Sequence, residues 1–319
     1  MHHTPHTMVD PIFWVGFTVV IVFLLLLDLG LFHKKAHTVK TKEALVWYLV
    51  WVALAACFGI GVHRFLGSQR ALEFVTGYLI EQALSVDNIF VFLVIFQYFA
   101  VPPALQRGVL FWGILGAIIM RITFILAGAA LLHAFHWMIY VMGVFLIFTG
   151  FKLIRHDGAE VDPERNPLVR IVRRIMPVVS EYRDQSFFVR EGGRLCATML
   201  FLVLVAVEAT DVAFAIDSIP AIFAVTDDPF IVYTSNIFAI LGLRSLFFLL
   251  SGVMGKFHYL QIGLAMVLMF VGLKMVMSGF YKIPIGLSLL VVATLLAGSV
   301  VASLLRPRPK EREEPAVDA

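Results

Sequence analysis

The sequence predicts an all-α polytopic membrane protein, and three observations support this fold class. Hydrophobic residues make up 60% of the 319 residues and charged residues only 15%, against about 25% charged in soluble domains. The mean hydropathy is +0.91. The apolar residues form continuous runs and do not alternate with polar ones, which excludes an outer-membrane-type barrel. The balance of 25 Lys and Arg against 22 Asp and Glu gives no reason to expect a nucleic-acid partner.

Nine stretches are long and apolar enough to cross a bilayer, because a transmembrane helix needs about 20 mostly apolar residues. They cover residues 12–32, 44–65, 72–98, 109–132, 137–154, 197–225, 230–253, 259–278 and 283–305. The first is interpreted as a retained helix and not a signal peptide, since Lys34 and Lys35 follow it. Residues 1–319 are expected to form a single membrane domain, with a solvated, mixed-charge loop at 155–196 and a disordered tail at 306–319.

Basic residues in the short loops predict the orientation, because positively charged loops remain in the cytoplasm. One set of loops carries Lys34, Lys35, Lys40, Lys42, Arg107, Lys256, Arg306, Arg308, Lys310 and Arg312. The opposite set carries only Arg70 and Lys282, with Arg64 near a helix end. We therefore expect the N-terminus outside, and the C-terminus and the 155–196 loop in the cytoplasm.

The chain contains an internal repeat, in which four groups of residues recur in the same order. The paired groups are Glu81–Ile89 with Asp211–Ile219, Arg121–Phe124 with Arg244–Phe247, Phe135–Trp137 with Phe257–Tyr259, and Gly150–Lys152 with Gly272–Lys274. Each copy, 72–154 and 197–278, holds three spans, and this odd number makes the two copies enter the membrane from opposite sides. Inverted repeats are typical of secondary transporters, whose substrate site lies near the midplane between the copies.

Ionisable side chains lie within the predicted spans, where each costs at least about 2.5–3.5 kcal/mol at a helix centre. They are Asp28, Glu81, Asp87, Glu208, Asp211, Asp217, Arg121 and Arg244. Six carboxylates and two guanidinium groups leave a formal charge of −4, so protons or cations must balance the site. Carboxylates with Asn88, Ser218 and Asn236 nearby are hard oxygen donors, which suit Mn²⁺, Mg²⁺ or Ca²⁺.

Helical spacing brings only part of this set onto shared faces. Glu81 and Asn88 are seven residues apart and lie on one face of a helix. Asp87 and Asp217 each follow their partner in the motif by six residues, which is about 120° away on a straight helix. A break in the helix at Pro220 would free a backbone carbonyl beside Asp217 as an extra ligand.

The remaining polar residues have several expected roles. Arg121 and Arg244 are predicted to pair with carboxylates and to act as gates, with Asn236 in the same group. Asp28 is expected to bind the ion, to pair with a basic group or to face a water cavity. Asp228 falls in an outer loop and is expected to be solvated.

The segments Glu81–Phe92, Val207–Ile222 and Thr234–Arg244 resemble the TerC family of membrane proteins. The length and the nine-span layout resemble its Alx branch, and the resemblance covers the chain from about Asp28 to the last span. It implies an inner-membrane protein of a family first linked to tellurite resistance, with Alx members tied to alkaline response and manganese efflux. It also implies metal ligands at Glu81, Asp87, Asn88, Glu208, Asp211 and Asp217. Gln82 departs from the family pattern, in which many relatives carry Lys.

The sequence therefore favours a secondary transporter that exports a divalent cation, foremost Mn²⁺, in exchange for protons. The expected partners are this cation, protons and the lipid bilayer, with no prosthetic group and no nucleotide-binding motif. An antiporter for Ca²⁺ or Na⁺ remains an alternative. So does a membrane scaffold that delivers metal to other membrane or secreted proteins and docks them on the 155–196 loop. An enzyme is not expected, because no Gly-x-Gly-Asp signature is present and no Ser or Cys nucleophile has a membrane His beside it.

Overall fold

The computed structural model confirms an all-α polytopic architecture. It describes residues 11–32, 41–135, 137–155, 167–179, 181–183, 185–251, 259–281 and 283–306, while the side chains of residues 11, 26–32, 87 and 90 fall outside the description. The helices are α1 (Pro11–Phe32), α2 (Thr41–Leu66), α3 (Ser68–Tyr98), α4 (Pro103–Ala134), α5 (Met138–Arg155), α6 (Pro167–Ile175), α7 (Met199–Phe223), α8 (Pro229–Leu250), α9 (Leu260–Met277) and α10 (Ile285–Leu305).

Eight helices in the described part of the chain are long and apolar enough to cross a membrane, namely α2 to α5 and α7 to α10. In α1, the apolar stretch for which side chains are described is Ile12–Leu25, which is too short to count among these eight. Each of the nine predicted stretches overlaps one of these helices. The total of nine spans nevertheless stays a prediction, as does the disordered tail, which lies outside the described residues after Arg306.

Helix α8 forms the centre of the bundle. Every residue from Phe230 to Phe247 is buried, and the helix contacts α2, α3 and α4. The enclosed part of α8 is mostly apolar but includes the polar residues Asn236 and Arg244. Helix α7 packs against α3 and α4 beside it, so that the helices bearing the intramembrane charges meet in the interior.

Local sequence signals determine where α7 and α8 begin. Asp228 caps α8 by accepting a hydrogen bond from the Phe230 N–H at 3.0 Å, and Pro229 follows at the first helical position. Thr198 caps α7 by accepting one from the Phe201 N–H at 3.4 Å. Helix α7 continues through Pro220 to Phe223, so the expected break at that proline is wrong for this structure.

Small residues let α5 and α9 approach each other closely. A Cβ atom added to Gly143 would lie 2.8 Å from the Gly272 carbonyl oxygen, and one added to Gly272 would lie 2.5 Å from that of Gly143. A Cβ atom on Gly150 would lie 2.7 Å from the carbonyl oxygen of Ala265. Close backbone contact through small residues is a common way to join helices in membranes.

The segment between α5 and α7 contains a helix and three strands where the structure describes it, which the sequence analysis did not predict, and most of its described side chains are exposed or partly exposed. Helix α6 packs against α7 and is followed by strands β1 (Val178–Val179), β2 (Phe188–Glu191) and β3 (Arg194–Thr198). The sheet has the order β1-β3-β2, with β1 parallel and β2 antiparallel to β3. Gly192 and Gly193, at φ values of 58° and 78°, form the two-residue hairpin turn that needs positive φ.

Besides the packing of α6 on α7, a hydrogen bond and a direct chain connection attach this folded segment to the membrane helices. The Tyr182 hydroxyl donates a hydrogen bond of 2.6 Å to the carbonyl of Phe99, just after α3. Burial raises the pKa of Tyr182 to about 12. At the direct chain connection, β3 ends at Thr198 and α7 begins at the next residue. The Thr198 hydroxyl also donates to the carbonyl of Ser186 at 2.8 Å, which ties the sheet to the start of α7.

Candidate ion-binding site

Arg121 of α4 is enclosed between two carboxylates in the interior of the bundle. Its Nη1 donates to Glu81 of α3 and, at 3.0 Å, to the hydroxyl of Ser218 on α7. Its Nε and Nη2 donate to the two carboxylate oxygens of Asp211 on α7, at 3.4 and 3.2 Å. The guanidinium group therefore links three helices and joins the two acidic residues that the predicted repeat pairs.

The charges of this cluster do not balance. Glu81 and Arg121 are 0% exposed and Asp211 is 3% exposed, so two carboxylates share one guanidinium group away from water. Glu81 Oε2 has no hydrogen-bond partner among the described residues. A buried negative charge that is only partly compensated favours the binding of a further cation or proton.

Glu208 lies one helical turn before Asp211, and its carboxylate packs directly over Gly116 of α4. A Cβ atom at Gly116 would collide with that carboxylate, so a side chain there would force the Glu208 carboxylate to move. The side chain is partly buried. Glu208 is thus a third acidic group on the side of α7 that faces α4.

Asp217 points to a different neighbour. Its Oδ1 accepts a hydrogen bond of 3.3 Å from the hydroxyl of Thr149 on α5, and it is only partly buried. Ser218, the next residue, is instead bonded to Arg121. The interval of six residues between Asp211 and Asp217 places their side chains on different faces of the unbroken helix, as the helical period requires.

For the other predicted site residues, the structure gives burial but few contacts, or does not describe the side chain. The side chains of Asp87 and Asp28 lie outside the described residues, while Asn88 and Asn236 are buried, at 2% and 0% exposure. Arg244 is 7% exposed and lines a cavity of about 10 Å³ together with Asp211, which is room for about one water molecule.

The metal-ligand set implied by the family resemblance stays a prediction. Among the residues that the structure describes, no group of three or more His, Cys, Asp and Glu side chains is arranged to hold a metal ion. The geometry brings together Glu81, Asp211 and Ser218, with Arg121 between them. In this state a cation would have to displace the guanidinium group to reach both carboxylates.

A second charged cluster, which the sequence analysis missed, joins the start of α3 to the α7–α8 turn. Arg70 Nη1 lies 2.8 Å from Glu73 Oε2, and its Nε lies 3.6 Å from Asp228 Oδ2. The Thr226 hydroxyl donates to Glu73 at 2.7 Å. Glu73 stands at the start of the predicted span 72–98, where an acidic residue would be expected to face the membrane–water interface. The Asp228-Pro229 pair, a helix-start signal, could have revealed the ordered turn.

The expectation of a solvated Asp228 is wrong. Its side chain is 9% exposed, because it caps α8 and pairs with Arg70, whereas the side chain of Asp227 is 73% exposed. Burial raises the pKa of the Asp228 carboxyl group, although Arg70 and the N–H groups of Phe230 and Ile231 act in the opposite direction. Arg107, expected in a loop, likewise lies within α4 and is 9% exposed.

Comparison with known proteins gives the same assignment along nearly the whole chain. The profile of the integral membrane protein TerC family matches residues 66–311. An "Uncharacterized membrane protein STKORF319" of Myxococcus xanthus is 54% identical over 310 residues, which is 97% of this chain and 96% of that protein.

Two further relatives carry the name "Putative membrane-bound redox modulator Alx". The protein of Escherichia coli (strain K12) is 48% identical over 300 residues, or 91% of this chain and 94% of its own. That of Salmonella typhi is 48% identical over 305 residues, or 93% and 95%. No solved structure matches the chain. The family match and these relatives show that the chain belongs to the TerC family of integral membrane proteins and is Alx-like.

Proposed function

We propose that this protein is a secondary transporter that exports a divalent cation, with Mn²⁺ as the preferred cargo, in exchange for protons. The observation that carries the proposal is the sharing of Arg121 by Glu81 and Asp211 in the interior of the bundle. Ionisable groups at this depth are costly and typically mark an ion path or a proton relay.

The chemistry of the cluster favours a hard cation as cargo. Its potential ligands are carboxylate and hydroxyl oxygens, which suit Mn²⁺, Mg²⁺ or Ca²⁺. The guanidinium of Arg121 supplies positive charge to both carboxylates, and a divalent cation at the same place would supply more. An oxyanion such as tellurite would meet an excess of negative charge here and is not favoured as cargo.

Contacts between helices support the inverted repeat on which the transport proposal depends. The predicted pairing of Gly150 with Gly272 makes Gly143 the counterpart of Ala265. The close contact between Gly143 and Gly272 then has its counterpart in the contact between Gly150 and Ala265. Such reciprocal contacts are expected of two copies related by a pseudo-two-fold axis.

A second reciprocal contact involves the helices that bear the charges. A Cβ atom at Gly77 of α3 would lie 2.9 Å from Ser235 Oγ on α8, and one at Gly113 of α4 would lie 3.3 Å from Val207 on α7. The repeat pairs Gly77 with Val207, and Ser235 falls within one residue of the counterpart of Gly113. Alternating access by one copy rocking against the other would use these interfaces.

Proton exchange follows from the energetics of export. Moving a dication outward against an inside-negative potential costs about 2.3 kcal/mol per charge for each 100 mV. Carboxylates that bind either the metal or protons couple the two by competition. Glu81 and Asp211 are the groups on which we place this competition.

A cation flux measurement tests the proposal. The purified protein would be placed in liposomes, and entry of Mn²⁺, Ca²⁺ and Na⁺ would be followed with internal pH. We expect Mn²⁺ flux with opposite proton movement, its loss in Glu81→Gln, and full retention in Asp227→Asn, which alters an exposed carboxylate. Ca²⁺ or Na⁺ flux without Mn²⁺ flux would favour the antiporter alternative.

A scaffold that delivers metal to other proteins is the second candidate, and the folded segment of α6 and the sheet favours it. That segment offers an ordered surface next to α7, which a docking partner requires. The two candidates differ in empty liposomes, since a scaffold would move no ion on its own. Absence of any cation flux there, with protein correctly inserted, would contradict the transport proposal.

A further inference from the structure

Asn236 of α8 is a buried amide that nothing in the described structure satisfies. It is 0% exposed, and neither its Oδ1 nor its Nδ2 has a hydrogen-bond partner among the described residues. Its neighbour Thr234, equally buried, donates its hydroxyl to the Phe230 carbonyl at 2.9 Å. Proteins leave few buried polar groups without a partner, and those that remain often belong to functional sites.

The packing of α8 against α4 sets the depth of Asn236 in the bundle. Ile240 packs with Ile114 and Ala117, while Arg244, one turn further along α8, lines a separate pocket with Arg107, which precedes Ile114 on α4. The two helices are therefore antiparallel. In antiparallel helices, the residue one turn before Ile240 on α8 lies level with the residue one turn after Ala117 on α4. Asn236 thus lies at the level of Arg121.

The packing of α8 against α3 leads to the same depth. Arg70 of α3 contacts Asp228, and Gly77 contacts Ser235, so these two helices run parallel. Asn236 then lies near the level of position 78 on α3. The side chain of Glu81 starts less than one turn further along and leans back toward the start of its helix.

We propose that Asn236 is a ligand of the transported cation and provides a neutral oxygen next to the Glu81 carboxylate. The inference rests on the proposed transport function and deepens it. In this structure Arg121 bonds to Glu81 Oε1, while Glu81 Oε2 and Asn236 Oδ1 both have no hydrogen-bond partner among the described residues. A hard cation between them would satisfy both, since it accepts carboxylate and amide oxygens together.

Asn236→Leu is the informative substitution, because Leu is close to Asn in size and has no polar atom. If the Asn236 amide serves as a cation ligand, replacing it by Leu leaves the metal-free protein equally or more stable, because no hydrogen bond is lost. The same change removes a ligand, so it weakens stabilisation by the metal. If the amide were purely structural, Asn236→Leu would lower the metal-free stability and leave stabilisation by the metal unchanged.

The experiment records thermal unfolding of the full-length protein in detergent at increasing MnCl₂, together with Mn²⁺ flux in liposomes. We expect Asn236→Leu to keep or raise the metal-free melting temperature and to weaken the apparent Mn²⁺ affinity about tenfold or more. Asn236→Asp, which keeps an oxygen ligand, should retain the metal-dependent shift. Thr234→Val is the matched control, and it should lower the metal-free melting temperature while leaving Mn²⁺ affinity unchanged.

The outcomes separate this inference from the proposed function. A wild-type protein with neither Mn²⁺ flux nor Mn²⁺-dependent stabilisation would contradict both. A wild-type protein with both properties, alongside an Asn236→Leu variant of unchanged Mn²⁺ affinity, would overturn only the role of Asn236. A large fall in the metal-free melting temperature of Asn236→Leu would also overturn it, because the amide would then be structural.

Discussion

Asp217 on α7 accepts its hydrogen bond from Thr149 on α5, whereas Asp211, on the same helix, is bonded to Arg121 on α4. The two carboxylates therefore serve different interfaces. We expect Asp217→Asn to reduce Mn²⁺ flux and to leave Mn²⁺ binding nearly intact, because the central pair is untouched. Glu81→Gln should abolish both. Binding would be measured by Mn²⁺-dependent thermal stabilisation, and equal loss of binding in the two variants would place Asp217 among the ligands.

Arg121 is expected to be essential for stability when no metal is present. Arg121→Gln leaves Glu81 and Asp211 buried without their counter-ion, which should cost about 3–5 kcal/mol at neutral pH. Added MnCl₂ or a lower pH should recover part of the loss, since either one neutralises the carboxylates. The control is Arg183→Gln, which breaks exposed pairs with Glu181 and Glu191 and should cost less than about 1 kcal/mol.

The α5–α9 contact gives a prediction about packing. Gly143→Ala should destabilise the protein by about 1–3 kcal/mol, because the new methyl group meets the Gly272 backbone, which cannot easily yield. Gly61→Ala in α2 is the matched control. A Cβ atom there meets nothing within 4 Å, so helix propensity should stabilise it by about 0.5–1 kcal/mol. Equal melting temperatures for the two variants would show that the close approach is not required.

Asp228 should make stability depend on pH. Its pKa in the folded protein lies above the ordinary 3.8, since burial penalises the carboxylate more than Arg70 and its N-cap bonds favour it. Folding therefore gains from protonation, and this gain is lost as the pH rises through the folded-state pKa. Asp228→Asn keeps the cap but cannot titrate.

We expect the melting temperature of the wild-type protein, relative to that of Asp228→Asn, to rise as the pH falls from about 7 to about 4. Thermal unfolding of the two proteins side by side in detergent measures this difference. A relative melting temperature that instead fell on acidification would mean that the Arg70 pair outweighs burial.

The predicted orientation can be tested on the folded segment between α5 and α7. Cys196 is a poor handle because it is buried, so Glu191→Cys on the exposed end of β2 is preferable after both native cysteines are replaced by Ser. An impermeant thiol reagent should label it only after the cells are opened. Labelling of intact cells would place this segment outside and reverse the assigned orientation.

The sequence was sufficient to predict the long apolar helices and part of the site. Continuous apolar runs mark the helices because the bilayer admits little else. The same logic singled out Glu81, Asp211 and Arg121, since charges in a span need partners, and the structure pairs these three. The partner of Asp217 could not be predicted, because the contact with Thr149 depends on which helix packs against that face.

The hairpin between α5 and α7 and the charged cluster around Arg70 were not predicted, although the sequence carries signals for both. Gly192 and Gly193 mark a hairpin, but the charged residues around them suggested a solvated loop. Glu73 was not singled out, because it stands at the start of an apolar run. Its pairing with Arg70 and Thr226 depends on the α7–α8 turn, which is distant in sequence.

The junction of the sheet with the helices has a mechanical consequence. Strand β3 passes into α7 without a linker, and Tyr182 of the same segment is bonded to the end of α3. These are the helices that carry Asp211 and Glu81. The segment between α5 and α7 is therefore joined to both of these helices. A movement of α7 away from α3 that separated the two carboxylates would have to break the Tyr182–Phe99 hydrogen bond or bend the β3–α7 junction.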